Sequence, residues 1–463
     1  MTAPLERAIA EAILGVDTLF GGDVMNPSGT GRFIADAWFS DQPLPAAYSH
    51  PAAAAVRAGG GVSAAVPDRA LIAAYLAAVD IPAAIAAIAA AASGPGLAGS
   101  LRGRYLAGLA QSCGVMWELA QELLGQGDPV PYARAVEASC GRPPSPSDPR
   151  SKREQVAVRL EAAGYDAGAD GLEAAVARWR RDRLVPRKSI PALAGAFIAQ
   201  LDAATARHLL PYVPPALHPV PRANVRFLPI ENAWFSGSMN YLGRARSSAG
   251  LPEYEATYEL NAALEISIPE FVQLVAHEVV PGHVTTFAYL QHLYWTGAAG
   301  FEASVPTMNT RAATLSEGIA NNAILIAHGV TEIAELGDPD LELGLLLALL
   351  QDDAKNQASW LTWAEAWPEE EVAAALPREF LVSQERAGKL AGAWGRHPLL
   401  GRMYLPCYRA GTDTVADLRR RYPAAELLPA IYGARGLVDI ETVVDLLAGE
   451  VPPDRVGSSP LNS

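Results

Sequence analysis

Along the first two hundred residues, Ala, Leu and Val recur at three- and four-residue spacing, with charges on the other faces. That is the period of an amphipathic helix, and it predicts helices over 70–78, 104–125 and 153–162. Pro and Gly punctuate them at Gly59-Gly60-Gly61, at Gly94-Pro95-Gly96, and above all in GRPPSPSDPR, 141–150, which marks an exposed loop or a subdomain boundary. The texture changes after a second proline-rich zone, 211–221. NVRFLPI (224–230) and YEATYE (254–259) are rich in aromatic and β-branched residues with some alternation. GSMNYLGRARSSAG (237–250), between them, is a Gly- and Ser-rich loop, so a short two- or three-stranded sheet is predicted. From Pro269 the pattern is helical again to Trp394, with breaks near Pro281, 297–306, 337–339 and Pro368. VPPDRVGSSPLNS, at the end, predicts a loosely held tail. The expected fold is mainly α, a large multi-helical assembly with a small β-sheet. Residues 1–220 form one wall of a cleft and 221–463 carry its chemistry, as one continuous unit.

Composition narrows the partners. Half of the 463 residues are hydrophobic but only 7% are aromatic, so Ala, Leu and Val fill most of the core. A disordered or collagen-like chain is excluded. The formal net charge of −14 argues against a nucleic-acid or anionic-membrane binder. The basic run RWRRDRLVPR, 178–187, is expected to be a solvated helix face rather than a phosphate site. Three scattered cysteines, Cys113, Cys140 and Cys407, make neither a disulfide framework nor a cysteine-only metal knot, and a reducing cytoplasm fits. The N-terminus lacks the basic start of a signal peptide. The apolar stretches 81–93 and 343–350 fall short of the roughly 20 residues of a membrane span and are expected to be buried helices.

One segment carries chemistry: PEFVQLVAHEVVPGH, 269–283. Pro269 suits the first position of a helix, where its missing N–H has no partner. Phe271, Val272, Leu274, Val275, Ala276, Val279 and Val280 make that helix apolar on every side, so it should be buried all round. Only Gln273, His277 and Glu278 interrupt it beyond the first turn. A buried carboxylate costs several kcal/mol unless it is paired or ligated. Adjacent His and Glu place a metal ligand beside a general base. His277 and His283 are six residues apart rather than four, which on an ideal helix at ~100° per residue separates them by roughly 120°. They can face one metal only if the helix breaks, and Pro281-Gly282 stands where that break is needed.

Catalytic zinc usually keeps three protein ligands. The third candidate is Glu317 in TLSEGIANNAILIAHG, which taken by itself reads as a first-turn glutamate favoured by the helix dipole. His292 and His328 are either partners behind the ligands or ordinary helix histidines, and Asn321 either steadies Glu317 or is plain helix polarity. Cys407 is expected to be a packed thiol, and Trp360, Trp363 and Trp367 to be core or cleft wall.

HEVVPGH followed by SEGIA resembles the bacterial family called domain of unknown function 885, regarded as zinc-dependent peptidases of the gluzincin type, whose members carry HExxPGH and a downstream EGWA-like motif. The resemblance runs from about Asn224 to YLPCYRAG (404–411), which is similar to the family's PGQALSYKIG-type stretch. It implies that His277, His283 and Glu317 ligate the metal and that Glu278 is the base that activates water. The departures are Val284 where the family often has a second histidine, Ile319 in place of Trp, and Leu405-Pro406-Cys407-Tyr408 in place of Pro-Gly-Gln-Ala. They leave the ligands intact, change the substrate pocket and mark a divergent member.

The expected activity is therefore hydrolysis of amide bonds, in peptides above all, by a zinc-activated water, with Fe2+ or Mn2+ as other occupants of the site. Tyr408 or Arg409 is the candidate donor to the oxyanion, each weighed against an aromatic packed in a helix and a surface arginine. The strand Ala256–Asn261 is a candidate to line the cleft and pair with an extended peptide. The rival readings are a metal-binding scaffold whose catalysis has lapsed, and a metal-dependent hydrolase or oxygenase acting on a small metabolite.

Overall fold

The structure, a computed structural model, describes residues 4–22, 35, 37–168, 171–230, 237–261, 265–305 and 307–454. Pro306 and the tail 455–463 lie outside the described residues; of the expected loose end, Val451 is buried and Asp454 bonds through its N–H to the Arg435 carbonyl. The chain is mainly helical, 64% helix and 5% strand, with one small three-stranded sheet.

Sequence periodicity finds its elements at Arg69–Ala78, Leu101–Leu123 and Arg150–Ala162. The alanine-rich helix is Ile81–Ala92, but it buries only Ile81, Ala84, Ile88 and Ala92. The expectation of full burial fails because alanine makes both faces apolar without saying which is covered. Leu343, Leu346, Leu347 and Leu350 are buried as expected, within the long helix Pro339–Trp363. No single helix among the described residues is long and apolar enough to cross a membrane; Arg69–Ala78 and Ile81–Ala92 reach that measure only as a pair bent by 45°. The N-terminal helices do not close on themselves. The apolar cluster around Leu106, Met116 and Leu119 also takes in Phe301, Met403 and Leu437.

The sheet runs β1 (Val225–Ile230), β3 (Ala256–Asn261), β2 (Gly237–Tyr241), with β1 parallel and β2 antiparallel to β3. Two expectations change here. The first five residues of the Gly- and Ser-rich stretch form β2 rather than loop. Tyr241 packs its ring 5.5 Å from Phe39 and 5.6 Å from Phe287, and these distant aromatics supply burial that local composition hides. The strand Ala256–Asn261 is central, with both backbone edges already paired, so it cannot take a peptide; β2 carries the edge beside the cavity.

The loop 141–150 is not free. Ser147 bonds to Gln357 and Asp353 and Ser145 to Asn356, which ties it to the long helix. The basic run is a web of ion pairs: Arg180 with Glu270, Arg183 with Asp340, Arg187 with Glu265. Cys140 and Cys407, scattered in sequence, meet with their sulfurs 3.8 Å apart as buried free thiols.

Two close approaches position the site. Helix Arg311–Asn321 crosses helix Leu405–Arg421 glycine against glycine. A Cβ on Gly318 would lie 2.4 Å from the Gly411 carbonyl oxygen, and one on Gly411 would lie 2.1 Å from that of Thr314. Helix Ile268–Glu278 leans on the long helix in the same way, where a Cβ on Gly344 would meet Pro269 at 2.8 Å.

Candidate metal centre

The HEVVPGH segment begins as a capped helix. Ser267 accepts from the Glu270 N–H and donates to its carboxylate at 2.7 Å, and Pro269 stands in the first turn. Helix Ile268–Glu278 buries Phe271, Gln273, Val275 and Ala276, but Leu274, His277 and Glu278 open onto a cavity of about 970 Å3. Its burial is three-sided rather than complete. The chain then breaks, and a new helix, His283–Trp295, starts on the second histidine. At Gly282 the backbone doubles back so tightly that a Cβ there would sit 1.9 Å from the His277 carbonyl oxygen. This break brings the two rings together, 4.8 Å between centroids and 89° between planes.

Glu317 comes from helix Arg311–Asn321, capped by Thr310. Its two oxygens each stand 3.5 Å from one histidine: Oε2 from Nε2 of His277 and Oε1 from Nε2 of His283. The ligand atoms of the three residues all lie within 4.8 Å of one another. Tetrahedral ligands about 2.0–2.1 Å from an ion stand about 3.3 Å apart, so each carboxylate oxygen already stands near a ligand-to-ligand distance from one imidazole.

The groups behind the triad support the same use. Asn321 Nδ2 donates to Thr412 at 2.8 Å, so its Oδ1 is left to accept from Nδ1 of His277, also at 2.8 Å. That bond leaves the Nε2 lone pair of His277 facing Glu317. Nδ1 of His283 shares a 3.1 Å hydrogen bond with Ser316. Tyr404 donates its hydroxyl to Oε1 of Glu317. Oε2 of Glu317 is buried without a hydrogen-bond partner. Orphaned buried oxygens are uncommon in proteins, and one facing a histidine nitrogen is what a cation would satisfy. The donor set, two imidazoles and a carboxylate, fits zinc and also ferrous iron.

Glu278 lies beside the triad. Its Oε2 accepts from the Met239 N–H of β2 at 3.1 Å. Burial pushes it up to about 7. Burial and the neighbouring His283 bring His277 down to about 3. Burial works the other way on Glu317, but the two histidines and Tyr404 outweigh it and hold that carboxyl near 2. His283 is depressed by burial, yet Glu317 lifts it above its ordinary value. Burial thus favours the neutral form of Glu278, while the histidines and Tyr404 favour the ionised form of Glu317.

Of the six site residues named from sequence, His277, His283, Glu317 and Glu278 come together, and Tyr408 lines the same cavity. Arg409 does not join them. One residue on, it points off the other side of its helix to the Ser145 and Pro146 carbonyls and to Asp353 and Asp413. Asn321 steadies His277 rather than Glu317. His292 bonds to Tyr254, and His328 sits near His208, so neither backs a ligand. Trp360 packs on Tyr132, Trp363 bonds to the Gly395 carbonyl, and Trp367 is exposed rather than core or cleft wall; among the described residues the tryptophan lining the cavity is Trp394. Sequence reading passed over Tyr404, Ser316 and the Met239 N–H. Ser316 and Tyr404 sit inside the quoted SEGIA and YLPCYRAG motifs and could have been found there; a backbone donor leaves no such trace.

No protein-family profile matches the chain, and no curated protein sequence does. Among solved structures, the chain is similar to a candidate lipoprotein of Colwellia psychrerythraea, with a TM-score of 0.51 and 14% identity over 79% of this chain and 66% of that one. It is equally similar to a candidate lipoprotein of unknown function from Shewanella oneidensis, with a TM-score of 0.51 and 14% identity over 88% of this chain and 79% of that one. The chain thus spans just under two thirds of the length of the first. At this identity the likeness concerns the fold.

Proposed function

We propose that the chain is a zinc-dependent hydrolase of amide bonds, with peptides as the principal substrates, and a divergent relative of the domain of unknown function 885 family. The observation that carries the reading is Oε2 of Glu317, buried and partnerless, facing the free Nε2 of His277 beside Glu278. In this reading His277, His283 and Glu317 hold the ion. Bound zinc supplies Lewis acidity, which polarises a carbonyl and acidifies water. Glu278 takes the proton from the attacking water and passes it to the leaving amine, a task suited to a carboxyl lifted to about 7. The Met239 N–H fixes the angle at which Glu278 works. Tyr408, in the cavity wall beside Tyr404, is the donor to the developing oxyanion. The edge of β2 offers main-chain pairing to an extended substrate.

A lapsed, purely metal-binding site is the second reading. Glu278 speaks against it, because a site that only holds a metal gains nothing from a buried carboxyl held next to its ligands. A cytoplasmic location belongs to the same proposal, and cell fractionation checks it.

The test is metal analysis of purified wild type and Glu278→Gln, followed by a peptide-library screen of both. Stoichiometric zinc in each, with turnover by wild type alone, is the expected result. If neither protein binds a transition metal, the reading is wrong.

A further inference from the structure

The cavity has a second polar wall. The long helix places Lys355 on it, and the short helix Gln384–Lys389 places Arg386. Lys355 Nζ lies 3.2 Å from the centre of the Tyr408 ring and 2.9 Å from Oδ1 of Asp352. Tyr408 stands 5.2 Å, ring to ring, from Tyr404, which donates to Glu317. An unbroken series of contacts therefore joins this wall to the metal triad.

The two cations differ in how they are matched. Asp352 answers the charge of Lys355. Arg386 stacks on Trp394, Cζ 4.8 Å from the ring centre, and its Nε is shut off from solvent without an acceptor. Among the described residues its guanidinium has no carboxylate partner. Arg180, on another part of the cavity, is gripped in a fork by Glu270. A recessed guanidinium held against an indole, with its Nε–H unanswered, is an arrangement that can take a carboxylate through paired N–H···O bonds. Burial lowers the pKa of Arg386 even though Tyr408, Asp352 and Glu385 pull the other way, and a directly bonded anion relieves that cost.

We propose that Arg386, with Lys355 beside it, is the receptor for a free carboxylate of the substrate, so that the substrates are peptides or acyl-amino acids that keep an acid group. The hydrolytic use of that receptor rests on the reading above; the recognition itself can be measured without turnover.

The experiment titrates zinc-loaded Glu278→Gln protein with three sets of N-acetylated di- and tripeptides: free C-terminus, amidated C-terminus, and amidated C-terminus with a glutamate side chain. Free acids should bind at least tenfold more tightly than their amides. Arg386→Gln should bring that ratio close to one while leaving amide affinity unchanged, and Arg386→Lys should restore part of it. Tight binding of the glutamate peptides also supports the receptor and assigns the carboxylate to a side chain. A ratio near one in the parent with no gain from the glutamate side chain, or an acid preference that survives Arg386→Gln in a protein of unaltered thermal midpoint, overturns the proposal. Peptide turnover by wild type without any acid preference sinks the receptor and spares the hydrolase. An Arg386-dependent preference in a wild type without turnover does the reverse.

Discussion

The hydroxyl of Tyr404 donates to Oε1 of Glu317, across 87 residues of chain. It leaves the other oxygen of that carboxylate as the one with no donor, turned toward His277. Positioning partners of this kind are commonly worth ten- to a hundredfold in metal affinity. Tyr404→Phe keeps the ring and its contact with Tyr408, so it should retain the fold and bind zinc about tenfold more weakly in competition with a chelating dye. An unchanged zinc affinity would show that the hydroxyl does not set the carboxylate.

Metal should stabilise the protein by mass action. Free zinc at a hundred times its dissociation constant adds about 2.7 kcal/mol to the folded state. Calorimetry with and without a chelator should show that increment in wild type and lose it in His283→Ala, whose chelated form should melt close to chelated wild type. Global unfolding of His283→Ala would make the histidine structural instead.

The glycine crossing of the Glu317 and Tyr408 helices predicts an asymmetry among glycines. Gly318→Ala and Gly411→Ala each force a methyl into backbone, at 2.4 and 2.1 Å. Each should cost about 1–3 kcal/mol in denaturant unfolding, and Gly318→Ala should weaken zinc binding as well by moving its neighbour Glu317. Gly195, inside helix Ile190–His208, has open space around its missing Cβ. Gly195→Ala should be neutral or gain up to about 1 kcal/mol. Equal losses at all three positions would contradict the packing.

Burial pushes Asp353 up to about 6, against the pull of Lys152 at 2.7 Å. Its ordinary value is near 4, so the folded protein holds this proton more tightly than the unfolded chain does. The contribution to stability is complete below pH ~4 and is lost as pH rises through ~6, up to about 3 kcal/mol in all. The unfolding free energy of wild type relative to Asp353→Asn should therefore fall between pH 4 and pH 7. Parallel pH profiles would refute the shift.

The meeting of the two histidines and Glu278 was legible because their spacing is local, whereas Glu317, on a separate helix, was reached only through the family resemblance. His277, Glu278, Pro281, Gly282 and His283 lie within one turn and its break, and the need for a kink follows from helix geometry. The groups that tune the site were not. Tyr404 and Arg386 reach the cavity through helix crossings that no spacing encodes, and the Met239 N–H belongs to an edge strand whose burial comes from Phe39 and Phe287. Arg409 was misplaced for a related reason. Motif membership names a segment, and the rotation of its helix decides which of two adjacent residues faces inward. For the sheet, β-propensity found β1 and β3, but the order of strands depends on a pairing between segments 31 residues apart.

At Gly282 the chain passes so close to the His277 carbonyl that no side chain fits there. The interval between the two histidines is thus a fixed length of folded backbone, and it behaves as a template. Adding or removing one residue between them would change how His283 faces His277, whatever residue were used. Insertions belong in the loops beyond these two helices, and a redesign of this site has to carry 277–283 as a single indivisible unit.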